Sequence, residues 1–173
     1  MAARGAAFLD RDGTLVRDVG YARTADELEL LPGVREGCAK LREAGLALVV
    51  VTNQSGIGRG YLDEAAYDRQ RARLDELLGA AAPDAHYFCP HHPTEAQGAY
   101  RIDCDCRKPK PGLFLRAIRE HGLDPARSLA IGDHPRDLEA ARAAGIRVAV
   151  RVGVPGAETF DRAARLALGE LRA

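Results

Sequence analysis

Phe8-Leu9-Asp10-Arg11-Asp12-Gly13-Thr14 carries a short apolar run, Ala6-Ala7-Phe8-Leu9, straight into two carboxylates and a glycine. The run has the length and composition of a buried strand, and Gly13 turns the chain directly after it. Two carboxylates this close repel each other and raise one pKa unless a bound group relieves them. A divalent cation does so, and oxygen ligands of this kind suit Mg²⁺. The pair also divides naturally into a nucleophile and a proton carrier. Asp-x-Asp-Gly-Thr by itself also occurs in plain surface turns, so the rest of the chain has to decide.

Downstream, apolar runs alternate with longer amphipathic stretches. A helix is predicted over 33–44, with Val34, Cys38 and Leu41 on one face and Gly45 closing it. The six-residue apolar run 46–51 reads as a strand covered on both faces. Asp63 is placed to cap a helix running to Leu78, and a short strand near 86–88 leads into a cysteine-rich region. A helix over 112–121, a strand at 129–131, a helix over 137–144 and a strand at 148–150 follow, and the tail from 158 reads as helical. This alternation predicts an α/β fold, a Rossmann-like doubly wound parallel sheet in three αβα layers. The stretches from Asp12 to residue 31 and from Thr52 to residue 62 are too short for a large cap domain.

The fold gives the polar groups a meeting place. Asp10 follows the first strand, Thr52-Asn53-Gln54-Ser55 the second, and Gly132-Asp133 the strand at 129–131. Open parallel sheets bind ligands beyond the carboxyl ends of their strands, so all three clusters converge there. Asp10, Asp133 and Asp12, the last through its backbone carbonyl, are expected to hold Mg²⁺. Thr52 offers a hydroxyl, and the N–H groups of Asn53 and Gln54 can receive an anion. Lys108, in Cys106-Arg107-Lys108-Pro109-Lys110-Pro111-Gly112, adds positive charge on a loop stiffened by prolines. Carboxylates, one metal, hydroxyl and amide donors and a lysine describe a phosphoryl-transfer site.

Of the four cysteines, Cys38 belongs to a helix core. Cys89-x-His91 and Cys104-x-Cys106 supply three thiolates and an imidazole, a set suited to zinc, with disulfides as the competing use. On spacing, His91 and His92 are both available. The glycines of Ser55-Gly56-Ile57-Gly58-Arg59-Gly60 lack the Gly-Lys-Ser/Thr ending of a nucleotide loop.

At 173 residues the chain is expected to form one domain over 1–173. Lys and Arg total 25 and Asp and Glu 25, so nothing favours nucleic acid or an anionic membrane. No apolar run nears the roughly 20 residues needed to span a bilayer. Met1-Ala2-Ala3-Arg4-Gly5 leaves no room for a signal peptide, so a cytoplasmic protein is expected, and nothing demands more than a monomer.

Asp10-Arg11-Asp12-Gly13-Thr14, Thr52-Asn53, Lys108 and Gly132-Asp133 with Asp137 beyond it resemble, in this order, the four motifs of haloacid dehalogenase-superfamily phosphatases. Asp18-Val19-Gly20-Tyr21, Val50-Val51-Thr52-Asn53-Gln54-Ser55-Gly56-Ile57, Cys89-Pro90-His91-His92-Pro93 and Cys104-Asp105-Cys106-Arg107-Lys108-Pro109 extend the likeness over residues 6–152. Within that superfamily they resemble a zinc-loop group that removes the C7 phosphate of D-glycero-D-manno-heptose 1,7-bisphosphate. That small sugar bisphosphate would be a precursor of nucleotide-activated heptose for lipopolysaccharide or S-layer glycans. Histidinol-phosphate phosphatase shares the zinc loop and is the alternative; a non-catalytic zinc-stabilised binding module is a more distant one.

The resemblance implies that Asp10 is the nucleophile and becomes an aspartyl-phosphate, and that Asp12 protonates the leaving oxygen and then activates water. For that Asp12 has to carry a proton when substrate arrives. Thr52 and Lys108 would bind the transferring phosphoryl group. Asp18, Gly20, Tyr21, Asn53, Gln54, Ser55 and Arg107 match positions around the substrate, and Arg59, Arg107 and Lys110 are candidates for the phosphate that is not transferred. The resemblance also selects His91 as the partner of Cys89, Cys104 and Cys106 around a structural Zn²⁺ that pins the loop bearing Arg107 and Lys108. His134 stands where the family usually has lysine. It can contact phosphate or play no part, and Arg136 is the other candidate for the missing charge.

Overall fold

The computed structural model describes residues 3–173, so the expectation for the N-terminus lies in part on Met1 and Ala2, outside the described residues. Strands β1 (Ala6–Leu9), β2 (Ala47–Asn53), β3 (Ala85–Cys89), β4 (Leu129–Gly132) and β5 (Val148–Arg151) form one parallel sheet in the order β3-β2-β1-β4-β5. The pairing register sets Phe8 beside Val49 on one side and Ala130 on the other. Both faces are covered, which is why β1, β2 and β4 read as unbroken apolar runs rather than alternating ones.

Alternate residues of β1 serve opposite cores. Ala7 and Leu9 pack with helices α1 (Val34–Glu43), α3 (Glu64–Leu78) and α6 (Phe160–Arg172). Ala6 and Phe8 pack with α4 (Gly112–His121) and α5 (Pro135–Ala143). The single turn α2 (Ser55–Gly58) sits directly after β2. The face predicted for α1 is the one that is buried: Val34, Cys38 and Leu41 all lie in the core. They meet the small-residue stripe Ala163, Ala164 and Ala167 of α6, and a side chain at Gly37 would strike the Phe160 ring. Asp63 caps α3 as expected, its Oδ1 accepting from Ala66 N at 2.7 Å.

The differences from the sequence reading lie at element ends. β2 runs on through Thr52 and Asn53 because these residues pair with Phe88 and Cys89 of β3. The helix expected at 137 starts at Pro135: the proline fits the first turn, and Asp137 Oδ2 accepts from His134 N at 3.0 Å. No large cap interrupts the fold among the described residues. No helix among the described residues is long and apolar enough to cross a membrane.

The chain leaves β1 for β2 on one side and returns to β4 on the other. A cleft therefore opens beyond the carboxyl ends of these strands. Asp10, just past β1, is tied across it by its N–H to Ile131 O at 3.0 Å.

Candidate active site

The cleft is a polar cavity of about 400 Å³, and residues from six separate segments line it. Asp10, Arg11 and Asp12 come from the turn after β1; Asp18, Gly20, Tyr21 and Ala22 from the loop that follows; Thr52, Asn53, Gln54 and Ser55 from the end of β2; Arg59 and Leu62 from the segment after α2; Arg107 and Lys108 from the cysteine loop; His134 and Arg136 from the start of α5. Of the residues expected to take part in catalysis or substrate binding, all but Lys110 line this cavity. Lys110 lies outside the lining, on the surface, where its Nζ donates to Asp103 Oδ1 at 2.7 Å.

Lys108 organises the floor. Its side chain is almost fully buried, with Nζ 2.7 Å from Asp10 Oδ1, 2.7 Å from Asp137 Oδ1 and 2.8 Å from Val51 O. Its backbone is clamped by Asn53, whose Oδ1 accepts from Lys108 N at 3.0 Å and whose Nδ2 donates to Lys108 O at 3.2 Å. Asn53 thus holds the lysine strand in place from the end of β2. Burial alone would lower the lysine's pKa, but Asp10 and Asp137 outweigh it and hold the ammonium above its ordinary value. Burial likewise pushes Asp10 up to about 7; Lys108 opposes that shift, while Asp137 and Asp12 add to it.

Asp12 is turned away from this group. Its carboxylate accepts from Arg11 Nε and one terminal nitrogen, both at 3.0 Å, and from Gln54 Nε2 at 2.8 Å. All these partners are donors, and the Asp12 side chain is not among the carboxylates that gather for a cation beside Asp10. Gln54 is the hub of a buried network: Nε2 also reaches Thr52 Oγ1 at 2.9 Å, and Oε1 accepts from Arg11 at 3.1 Å. Arg11 continues to Gln70 of α3 at 2.7 Å, and Gln70 Nε2 donates to Ala22 O at 2.8 Å.

This geometry corrects one expectation for Gln54. Its N–H does not await an anion, because it donates to Cys89 O at 2.7 Å as the sheet pairing continues past β2. Its side chain reaches the cavity wall with both amide atoms already engaged by the protein.

Asp133 completes the cluster. Oxygens of Asp10, Asp133 and Asp137 can lie together within 4.8 Å. Asp137 has both oxygens engaged, by Lys108 and by His134 N, so it serves to anchor the lysine. Gly13 lies at φ +79°, and a side chain there would collide with the Asp133 carboxylate, so only glycine lets that carboxylate approach Asp10. At and beneath the cavity floor, four carboxylates (Asp10, Asp12, Asp133 and Asp137) cluster with two cations among the described residues, Arg11 and Lys108. The excess of two negative charges in a mostly buried site fits one divalent cation with oxygen ligands.

Three residues here were not singled out from the sequence: Arg11, Gln70 and the anchoring role of Asp137. Gln70 had a readable signal. It falls on the stripe of Ala66, Tyr67 and Leu74 that α3 buries, where a fully buried amide has to serve a polar partner.

Beside the cavity, Cys89 Sγ, Cys104 Sγ, Cys106 Sγ and His91 Nδ1 converge within 4.8 Å. Sulfur separations are 3.5 Å for Cys89–Cys104 and 3.2 Å for Cys104–Cys106, and His91 Nδ1 lies 3.3 Å from Cys106. Those distances are far beyond the roughly 2.05 Å of a disulfide. They approach the edge of a tetrahedron with metal–sulfur bonds of about 2.3 Å, about 3.8 Å. Four soft donors around one point can hold a metal such as zinc and leave no open position. His92 is elsewhere: its Nδ1 accepts from Glu95 N at 3.0 Å. Arg107 donates to His91 O at 3.2 Å, which links the cluster to the cavity.

A family model for haloacid dehalogenase-like hydrolases matches residues 8–145, which span both the carboxylate turn and the Gly132-Asp133 segment. The chain belongs to that family. It is a hydrolase, and the reading of a non-catalytic binding module is set aside. The chain is 44% identical over 172 residues to the D-glycero-beta-D-manno-heptose-1,7-bisphosphate 7-phosphatase of Haemophilus ducreyi, covering 96% of this chain and 93% of that one. It is 42% identical over 170 residues to the enzyme of the same name from Escherichia coli K12, covering 96% and 89%. Its structure is similar, with TM-score 0.81 and 31% identity, to that of D,D-heptose 1,7-bisphosphate phosphatase from B. bronchiseptica complexed with magnesium and phosphate, covering 96% and 99%.

Proposed function

We propose that this chain is a Mg²⁺-dependent phosphatase that removes the C7 phosphate of D-glycero-β-D-manno-heptose 1,7-bisphosphate, within the synthesis of nucleotide-activated heptose. The observation that carries the reading is the cation-poor carboxylate floor around Asp10 and Lys108, in a chain so similar over its length to enzymes named for that reaction. The β anomer is taken from those relatives' names.

Phosphate monoester hydrolysis is slow enough in water that the site has to supply on the order of 20 kcal/mol. Asp10 attacks the phosphorus in line, forming an aspartyl-phosphate as the bond to the sugar O7 breaks. The Asp12 carboxylate meets only donors in the substrate-free protein. It would take up a proton as the doubly anionic phosphate binds, give it to O7 and, in the second half-reaction, take one from the attacking water, regenerating Asp10 and inorganic phosphate. Lys108 and the Thr52 hydroxyl hold the phosphoryl oxygens, and Asn53 keeps Lys108 in place through its backbone. Asp10, Asp133 and the Asp12 carbonyl would hold Mg²⁺, which supplies the positive charge the floor lacks.

Cys89, His91, Cys104 and Cys106 would hold a structural Zn²⁺ that fixes the loop carrying Arg107 and Lys108. Asp18, Gly20, Tyr21, Ser55, Arg59, Arg107 and His134 form the sugar and outer-phosphate walls. We also take the protein to act as one domain, as a monomer and in the cytoplasm, and the cavity's lining residues named above belong to this chain. Phosphate release with Mg²⁺ from both anomers of heptose 1,7-bisphosphate and from histidinol phosphate tests the reading. The β-bisphosphate is expected to lead in kcat/KM by about a hundredfold or more. A lead for histidinol phosphate would keep the fold and nucleophile and overturn the substrate.

A further inference from the structure

Five arginine and lysine side chains line the cavity, and four are already engaged. Arg11 and Lys108 lie in the floor, paired with Asp12, Asp10 and Asp137. Arg59 is ion-paired with Glu95 and lies over the Tyr21 ring, 5.5 Å from its centroid. Arg107 commits one terminal nitrogen to His91 O at 3.2 Å. Arg136 alone among them makes neither an ion pair nor a hydrogen bond among the described residues, although it is exposed at the cavity rim.

We propose that Arg136 grips the phosphate that a bisphosphate substrate keeps, and so sets the preference for bisphosphates over monophosphates. This rests on the reading of the cavity as a sugar-bisphosphate phosphatase site. The floor is acidic and, once neutralised, accommodates a single phosphoryl group. A second phosphate has to be met at the rim. Arg59 would give up Glu95 to bind it, whereas Arg136 has no protein partner among the described residues to give up and bears only the costs of desolvation and ordering. A guanidinium also matches phosphate oxygens with two parallel hydrogen bonds. Arg136 sits in the first turn of α5, where the helix end adds favourable potential for an anion. The neighbouring His134 does not duplicate it: its Nε2 lies 3.8 Å from Asp133 Oδ2, on the side of the inner carboxylates.

The test compares kcat/KM for the heptose 1,7-bisphosphate and for the 7-monophosphate of the same sugar, in wild type and in Arg136→Ala, Arg136→Lys and Arg136→Glu. The wild type is expected to prefer the bisphosphate. Arg136→Ala should reduce that preference by about tenfold or more, chiefly through KM, with Arg136→Lys intermediate and Arg136→Glu the most affected. Calorimetry with the sugar 1-phosphate product should show the same order of weakened binding. A preference kept intact in Arg136→Ala overturns the proposal, as does an equal loss on both substrates, which would assign Arg136 to the transferred phosphate. Hydrolysis of both substrates without preference by the wild type also overturns it but leaves the phosphatase reading standing. Hydrolysis of neither overturns the reading itself.

Discussion

At the scale of single residues, the site is a problem of charge balance. Asp10 lies in a buried floor with too few cations, and burial pushes it up to about 7 in the metal-free protein. The sign follows directly. Below that pH Asp10 holds a proton that a divalent cation has to displace, so Mg²⁺ affinity is expected to fall by about tenfold per pH unit as the pH drops. Above it, affinity levels off. The same raised value means that Asp10 destabilises the metal-free fold progressively as pH rises from the ordinary carboxylate range toward neutrality. Mg²⁺ should therefore raise Tm more at about pH 8 than at about pH 6. Titration calorimetry and thermal melts at the two pH values check both, and equal affinities would contradict the assignment of Asp10 to the cation site.

Among the elements, the loop from Cys89 to Lys108 is the most exposed to test. It has little secondary structure, and its shape depends on the Cys89, His91, Cys104 and Cys106 cluster, on Asn53 and on the bond from Arg107 to His91 O. Metal bound by such a set contributes folding free energy outright. Chelation, or Cys104→Ser, is expected to open protease cleavage within 89–106 and to lower activity at least about tenfold. Unchanged protease resistance with full activity after complete zinc removal would refute that role.

The sequence was most legible where one physical demand acts alone. The apolar strands, the Asp63 cap and the buried face of α1 all came from periodicity and local chemistry. So did the meeting of Asp10, Thr52 and Asp133, because parallel topology forces strand ends together. What it did not reveal depended on long-range pairing. The Gln54 N–H reads as free in sequence, yet it is taken by Cys89 O where β3 runs alongside, and the pairing of Lys110 with Asp103 is equally invisible there. The Arg11–Gln70 link joins residues far apart in sequence, and only the misplaced polarity of Gln70 on α3 hinted at it.

The whole molecule is a sheet clamped between two cores, with the chemistry confined to one end of it. α6 closes the core opposite α4 and α5, and Phe160 is its largest buried anchor, against Gly37 of α1. Phe160→Ala should cost about 3–5 kcal/mol of stability, read from the shift of a denaturant midpoint. Because α6 contributes nothing to the cavity, KM at low temperature should stay within about twofold of wild type. A large KM change would mean that the far core and the cleft are coupled.

The central claim is that Asp10 takes the phosphoryl group. Rapid acid quench of a single turnover with Mg²⁺ and heptose 1,7-bisphosphate, followed by peptide mass mapping, tests it most directly. The phosphoryl mass is expected on the peptide containing Asp10 in wild type and on no peptide in Asp10→Asn, which should also lose turnover. Phosphate on another residue, or ordinary turnover by Asp10→Asn, would contradict the account.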